Sequence, residues 1–378
     1  MTTGTRETLH QPMFLRFPVM RRFAESDPIM TMTTLERLVT ATTAELRGPG
    51  YGIFDEARRV PAVKAEHDRI AAALPALNAI EMRPVTAVAG AGTTLRVAAW
   101  NAERCKYHEA SVVLLRRVDA DVVLLSEMDI GMARSGNVHT VRLLADALGM
   151  GYAFGTEFVE LGLGDTRERI WHAGQTNAVG LHGNAILSRL PFRDVAVIRL
   201  DEGGRWFAGA EVGQRRLGGR MAIAARVTAA AGELLAVSVH LESNSDAEDR
   251  AAQVRRLLAA VEDMAPGAPV VIGGDLNTNA LPAGPAGTEL PLEAVEEAEP
   301  LFTEMRAAGF AWQACNTGHV SLRTRPDGTP EAPFTRLDWL FCRGVAVADP
   351  ATVPAVDAAG SAISDHDLVV ADVRPRQG

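Results

Sequence analysis

A layered α/β fold is predicted by two features of the chain. Short apolar runs of strand length are interspersed with stretches of helical spacing, and polar residues recur where the apolar runs end. The chain has 378 residues, 47% hydrophobic and 22% charged, enough for a sizeable buried core and incompatible with wholesale disorder. In order, LRVAAW (95–100) reads as a buried strand, 108–118 as a helix, DVVLLSE (121–127) as a second buried strand, and 137–148 as a helix. GYAFGTEFVEL (151–161), NAILSR (184–189), MAIAARV (221–227) and ELLAVSVH (233–240) continue the strands. A helix over 246–263 then leads into PVVIGGD (269–275), and RLDWLF (336–341) and HDLVVADV (366–373) close the series. The connection 279–335 is rich in Pro, Gly and Glu, with one helix predicted near 291–308, and connections of that length are usually functional.

The first ninety residues differ. Residues 31–47 and 56–78 carry apolar positions at helical spacing on either side of a GPGYG break, and AVAGAGTT (87–94) reads as a junction. This divides the chain into an N-terminal helical extension, 1–93, of unassigned role, and a main domain, 94–378. Basic residues number 38 against 47 acids, a net charge of −9, which argues against a surface that grips nucleic acid non-specifically. Three scattered cysteines, Cys105, Cys315 and Cys342, make neither a disulfide framework nor a zinc cage. No stretch approaches the roughly 18 apolar residues of a membrane span, and arginines interrupt the apolar run FLRFPVMRRF, so a secretory signal is not expected. A cytoplasmic protein is the expectation. His139, His172, His182 and His319 read as surface or loop histidines. The helix at 246–263 reads as core packing with Arg250, Arg255 and Arg256 as solvated charges.

The chemistry lies at the strand ends. Asn101 follows LRVAAW, Glu127 ends DVVLLSE, His240 ends LLAVSV, and Asp275 with Asn277 follow VVIGG. Asp338 lies within RLDWLF, and Asp365 and His366 precede LVV. Rigid strands hold their terminal side chains in fixed positions, which is where α/β proteins place ligand sites. The acids and amides are hard oxygen ligands without a cysteine cluster, which selects Mg²⁺, Mn²⁺ or Ca²⁺ over zinc.

Seven short motifs fall in order, each beside a predicted strand: WN (100–101), SE (126–127), GNAILS (183–188), HLES (240–243), GDLN (274–277), RLDW (336–339) and SDH (364–366). This series resembles the endonuclease/exonuclease/phosphatase superfamily over roughly residues 94–375. The resemblance implies a four-layer α/β sandwich of two packed mixed sheets flanked by helices, with 94–378 as the catalytic domain. It also implies hydrolysis of phosphodiesters or phosphomonoesters with a divalent cation, Mg²⁺ or Mn²⁺. By the same resemblance Glu127, helped by Asn101, would hold the metal, with Asp365 near it. Asp275 would orient or deprotonate the attacking water and Asn277 would hold a phosphoryl oxygen. His366, its other nitrogen bonded to Asp338, would contact the phosphate, and His240 would donate to the phosphate or leaving group. Ser126 departs from the family's usual glutamine. HLES tilts away from the abasic-site repair branch. Asn184 is a candidate substrate contact, and Arg134, Arg215, Arg216 and Arg220 are candidates for a phosphate clamp. The charge favours a small or medium phosphorylated molecule as substrate, with DNA or RNA as the alternative. Recruitment of the metal site to another reaction, or a non-catalytic binding module, remains as a further reading.

Overall fold

Two mixed β-sheets stack face to face in the computed structural model, which describes residues 1, 37–85, 92–209, 214–284, 289–324 and 329–376. One, the His240 sheet, runs in spatial order Leu38–Val39, Phe192–Arg199, Met221–Ala229, Gly232–His240, Val270–Asp275 and Asp338–Arg343. The other, the Asn101 sheet, runs Val345–Val353, Leu368–Pro375, Leu95–Arg104, Val122–Ile130, Leu181–Ser188, Gly151–Glu160, Ile80–Arg83 and Thr42–Thr43. Each sheet has a parallel pair at its centre, Leu95–Arg104 with Val122–Ile130 and Gly232–His240 with Val270–Asp275. Parallel neighbours need a crossover connection, and here helices His108–Val118 and Ala247–Met264 supply it.

The strands are almost continuously apolar because both of their faces are covered. Val97, Ala99, Val122, Leu124 and Ile186 meet Val197, Ile223, Ala236, Val271 and Leu340 between the sheets. The alternate residues face outward: Ala98, Trp100, Val123 and Leu125 join Leu114, Leu115 and Leu144 of one helical layer. Val237, Val239, Ile272 and Phe341 join Val254, Leu257, Val261 and Phe302 of the other. Four layers result, as the resemblance implied. Gly273 shows how closely the sheets approach, since a Cβ there would lie 2.6 Å from Leu340 and 3.0 Å from Ala99 and Leu124.

The described part of the N-terminal region corrects one expectation. Residues 37–47 form no helix: Leu38–Val39 pairs with Phe192–Arg199 at the edge of one sheet, and Thr42–Thr43 pairs with Ile80–Arg83 at the edge of the other. The run LVTATT is rich in β-branched residues, which fit a pleated edge better than a helix. Helices do form at Tyr51–Arg59, Lys64–Ala72 and Pro75–Asn78. Residues 31–36 and most of the 87–94 junction lie outside the described residues. The helix expected over 291–308 is confined to Leu301–Ala307, starting after Pro300. Arg250 is not a solvated charge: it is buried and bidentate to Glu299, with Nε 3.1 Å from Oε2, and donates to Ser245 O at 2.7 Å. Every described residue except Met1 falls within one compact unit, Thr33–Gly378. Among the described residues no helix is long and apolar enough to cross a membrane.

Candidate active site

One row across the His240 sheet carries three of the expected residues, with His240 opposite Asp275 and Asp275 opposite Asp338. Asp275 is the hub. Its Oδ1 accepts the Asn277 main-chain N–H at 2.9 Å and its Oδ2 accepts Asn101 Nδ2 at 3.0 Å, joining the two sheets. Two imidazoles flank the same Oδ2, His240 Nε2 at 3.6 Å and His366 Nε2 at 3.8 Å. Each has a carboxylate behind it: Asp338 Oδ2 is 2.7 Å from His366 Nδ1, and Glu157 Oε2 is 3.7 Å from His240 Nδ1. Burial opposes a charge on His366, but Asp338 and then Asp275 outweigh it and hold the imidazolium form well above the usual histidine range. Burial likewise opposes ionisation of Glu157, yet Arg220 at 2.8 Å keeps it down at about 2. Asn277 has a left-handed φ of 48° and gives its amide Nδ2 to Leu241 O at 2.9 Å.

The Asn101 sheet ends less regularly. Its register slips between Asn101 and Arg104, and again between Leu125 and Met128. Glu103, Arg104, Cys105 and Glu127 have φ of 45°, 67°, 52° and 56°, a conformation that costs roughly 1–2 kcal/mol per L-residue. Such irregularities re-aim side chains at the end of a sheet. Glu127 Oε2 accepts Arg104 Nη1 at 2.6 Å, and Arg104 Nε lies 3.0 Å from Glu168 Oε1. Burial works against a charge on Glu127, but Arg104 and then His240 hold it well below the usual carboxylate range. The Asp365 N–H donates to Glu103 Oε2 at 3.2 Å, and burial raises both carboxyls, Glu103 to about 7. Two bonds fix the loop that carries Asp365 and His366: Trp100 Nε1 to His366 O at 3.0 Å, and Ser364 Oγ to Asn101 O at 2.7 Å.

The structure therefore gathers His240, Asp275, Asn277, Asp338, His366, Asn101, Glu127 and Asp365 at one pole of the sandwich. Asn184 is fully buried one strand beyond Glu127, with Nδ2 bonded to Met221 O at 3.1 Å and Oδ1 without a partner. The four arginines proposed as a clamp are committed to the scaffold. Arg134 is buried, with two bonds of 2.9 Å to Asp129 and a third to Glu168. Arg220 binds Glu157 and stacks on Trp206 at 4.9 Å. Arg216 binds Glu160 at 2.9 Å over Phe158, and Arg215 bonds the main chain at Ala57 and Val60.

His182 is buried rather than on a surface, with Nδ1 2.7 Å from Asp129 and Nε2 3.8 Å from Glu157, stacked on Phe158. His139 is half-buried against Glu81 at 2.7 Å. Cys105 is a sealed thiol pushed up to about 12 by burial, which removes it as a nucleophile at neutral pH. Glu157 and Arg104 were not anticipated. An acid inside the apolar strand 151–161 is the one signal that marks Glu157, since buried acids need a partner. Arg104 has none, because only the local kink turns it towards Glu127.

Glu127, Asn101 and Asp365 are the oxygen donors that would suit a hard divalent cation, and a separate, tighter group of possible ligands lies beside them. Asp275, Asp338 and His366 offer ligand atoms within 4.8 Å of one another. Asp365 Oδ1 and Asp338 Oδ1 are buried oxygens without a hydrogen-bond partner. Such orphans cost about 1–3 kcal/mol each unless something fills them.

Residues 98–366 match the family described as Endonuclease/Exonuclease/phosphatase. The chain belongs to that family. The match takes in every motif from the Trp100–Asn101 pair to His366. Members of this family are generally hydrolases of phosphoester bonds, among them phosphodiesterases, nucleases and phosphatases. A solved endonuclease/exonuclease/phosphatase from Beutenbergia cavernae DSM 12333 shares the fold, with 23% identity and a TM-score of 0.52 over 75% of this chain and 72% of that one. D. rerio TDP2 complexed with a single-strand DNA product aligns at 17% identity and TM-score 0.46, over 75% of this chain and all of that one. The human Nocturnin catalytic domain with bound sulfate aligns at 16% and 0.49, over 78% of this chain and 97% of that one. No curated protein matches the chain.

Proposed function

We propose that this chain hydrolyses a phosphate ester of a small or medium phosphorylated molecule, by in-line attack of water with Mg²⁺ or Mn²⁺ bound. The observation that carries the reading is the pair of imidazoles, each with a carboxylate behind it, flanking one oxygen of Asp275 at 3.6 and 3.8 Å. Asp275 orients the water and accepts its proton, its charge fixed in place by the Asn277 N–H and Asn101 Nδ2. His366, kept protonated by Asp338, donates to a phosphoryl oxygen as negative charge builds on it. His240, steadied by Glu157, donates to the phosphate or the leaving oxygen. Glu127, Asn101 and Asp365 would hold the cation, which neutralises phosphoryl charge and polarises the ester when bound. Asn184 lines the same pole from the neighbouring strand.

The choice of a small substrate over nucleic acid rests on charge. The chain is net acidic, and Arg104, Arg134, Arg216 and Arg220 around the pole are each matched by an internal carboxylate. Few cations are left for a run of phosphates. Supercoiled plasmid, bis-p-nitrophenyl phosphate and p-nitrophenyl phosphate, each with Mg²⁺, Mn²⁺ or EDTA, test this, with Glu127→Ala as the control. Model-ester cleavage that needs metal and Glu127, without plasmid nicking, is the expected result. Nicking that the variant lacks would replace it with the nuclease reading.

A further inference from the structure

At this pole Arg104 is set apart from Arg134 and Arg220, and from Arg216, which is as open but pairs with the fully buried Glu160. Its Nη1 lies 2.6 Å from Glu127 Oε2, and both side chains stay partly open, 19% and 16% exposed. Arg134 and Arg220, at 1% and 8%, are sealed against their own acids. We propose that the Arg104 guanidinium is the resident counter-ion of Glu127, that a divalent cation bound there competes with it for the carboxylate, and that the displaced Nη1 then donates to the phosphoryl group. The inference rests on the cation-dependent reading above and adds a residue to it.

Three observations support it. A carboxylate oxygen that already accepts a short charge-assisted hydrogen bond is a poorer ligand, and a dication repels a guanidinium held on the same carboxylate, so Arg104 and the cation compete for Glu127. Displacement does not expel the guanidinium from the site, because its Nε is ion-paired with Glu168 at 3.0 Å. Glu168 is itself fixed, by the reciprocal cap with Asp165 at the start of helix Thr166–Trp171 and by Arg134. A cation that takes Glu127 therefore leaves a donor beside the phosphate it binds, where the sealed arginines cannot reach.

Mn²⁺ titrations followed by electron paramagnetic resonance of the free ion, on wild type, Arg104→Met and Arg104→Lys, read the competition without turnover. Inorganic phosphate binding at saturating Mg²⁺ reads the second half. Arg104→Met is expected to bind Mn²⁺ about tenfold or more tightly than wild type. Its phosphate affinity should fall by about the same factor. Arg104→Lys should lie between, because a single ammonium does not bridge Glu127 and Glu168 as the planar fork does. If Arg104→Met does not fold, the lysine variant alone must still bind Mn²⁺ more tightly than wild type. Equal or weaker Mn²⁺ binding by the folded variants overturns the competition, and unchanged phosphate binding overturns the donor role. Wild type and variants that all fail to bind Mn²⁺ would bring down the inference together with the cation reading, which separates the two failures.

Discussion

The two sheets solve the same structural problem in different ways. Each has a parallel pair joined by a helix, and each brings candidate site residues to the ends of that pair: Asn101 and Glu127 in one, His240 and Asp275 in the other. In the His240 sheet the strands Gly232–His240, Val270–Asp275 and Asp338–Arg343 keep their register to the last residue, so His240, Asp275 and Asp338 stand in one row, and the slip in that sheet lies away from it, between Ala224 and Arg226. The Asn101 sheet slips register and passes through four left-handed residues at the same level. A regular row fixes distances among groups that must act together on a proton, and the kinked end gathers mutually repelling acids around arginine instead. In the proposed reading the first half handles water and phosphate, and the second half handles the cation.

The largest expected effect tests that division. Asp275→Ala and His366→Ala are each expected to lower turnover by about 10²–10⁴-fold, the usual share of a positioned acid or base. Circular dichroism should show the fold intact, since the rest of each strand is held by its own core. Near-normal turnover by either purified variant would remove the row from the mechanism.

The next effect is on stability. Arg250 lies on the helix of the His240 crossover and ties it to Glu299, whose Oε1 also accepts the Ala280 N–H at 2.9 Å. Arg250→Met leaves a buried carboxylate without its cation, which costs about 3–5 kcal/mol. Urea unfolding should show this as a lower midpoint at nearly constant slope. A loss below about 1 kcal/mol would mean that solvent reaches Glu299 after all.

The apolar strands were readable from the chain because burial on both faces leaves unbroken hydrophobic runs. The row of His240, Asp275 and Asp338 was readable as a candidate site because its members close those runs in an order that resembles a known family. What escaped was non-local. Arg250, on a helix whose spacing marked it as a charge for solvent, finds its acid 49 residues away in a connection with little pattern. His182 looked like a loop histidine, but its strand begins at Leu181 and carries it beside Asp129. Arg220, a clamp candidate in the sequence, meets Glu157 63 residues away, whereas Arg134 meets Asp129 only five residues back, and there it is the turn between them that the sequence did not show. The edge strands Leu38–Val39 and Thr42–Thr43 are too short to have a period of their own, and only their neighbours make them strands.

Acid should act first on the charge pairs. Glu157 belongs to the Asn101 sheet, and its folded value of about 2 lies below the ordinary 4.5. A depressed carboxylate contributes stability that is fully present above 4.5 and is lost as pH falls from there through about 2. The amount is on the order of 3 kcal/mol. Stability measured from pH 6 to pH 2 should fall across this window, and Glu157→Gln should flatten the fall while lowering the plateau above it. An unchanged acid limb in the variant would place the sensitivity among the other carboxylates held below the ordinary range, such as Glu127, Glu168 and Glu81.

The smallest effect distinguishes the two crossover helices. Asp246 caps Ala247–Met264, accepting the Asp249 N–H at 2.9 Å, whereas Tyr107 precedes His108–Val118 with no side-chain cap. Asp246→Ala removes one satisfied donor and an acid favourably placed at the helix start, for a loss of about 1 kcal/mol. Tyr107→Ala removes no cap, and its ring is half exposed, so the change should stay within about 0.5 kcal/mol. Equal losses would mean that the helix on the Asn101 side also depends on its first residue. A cost confined to Asp246 would mean that its counterpart is held by packing alone, through Leu114, Leu115 and Val118 against the sheet that carries Glu127.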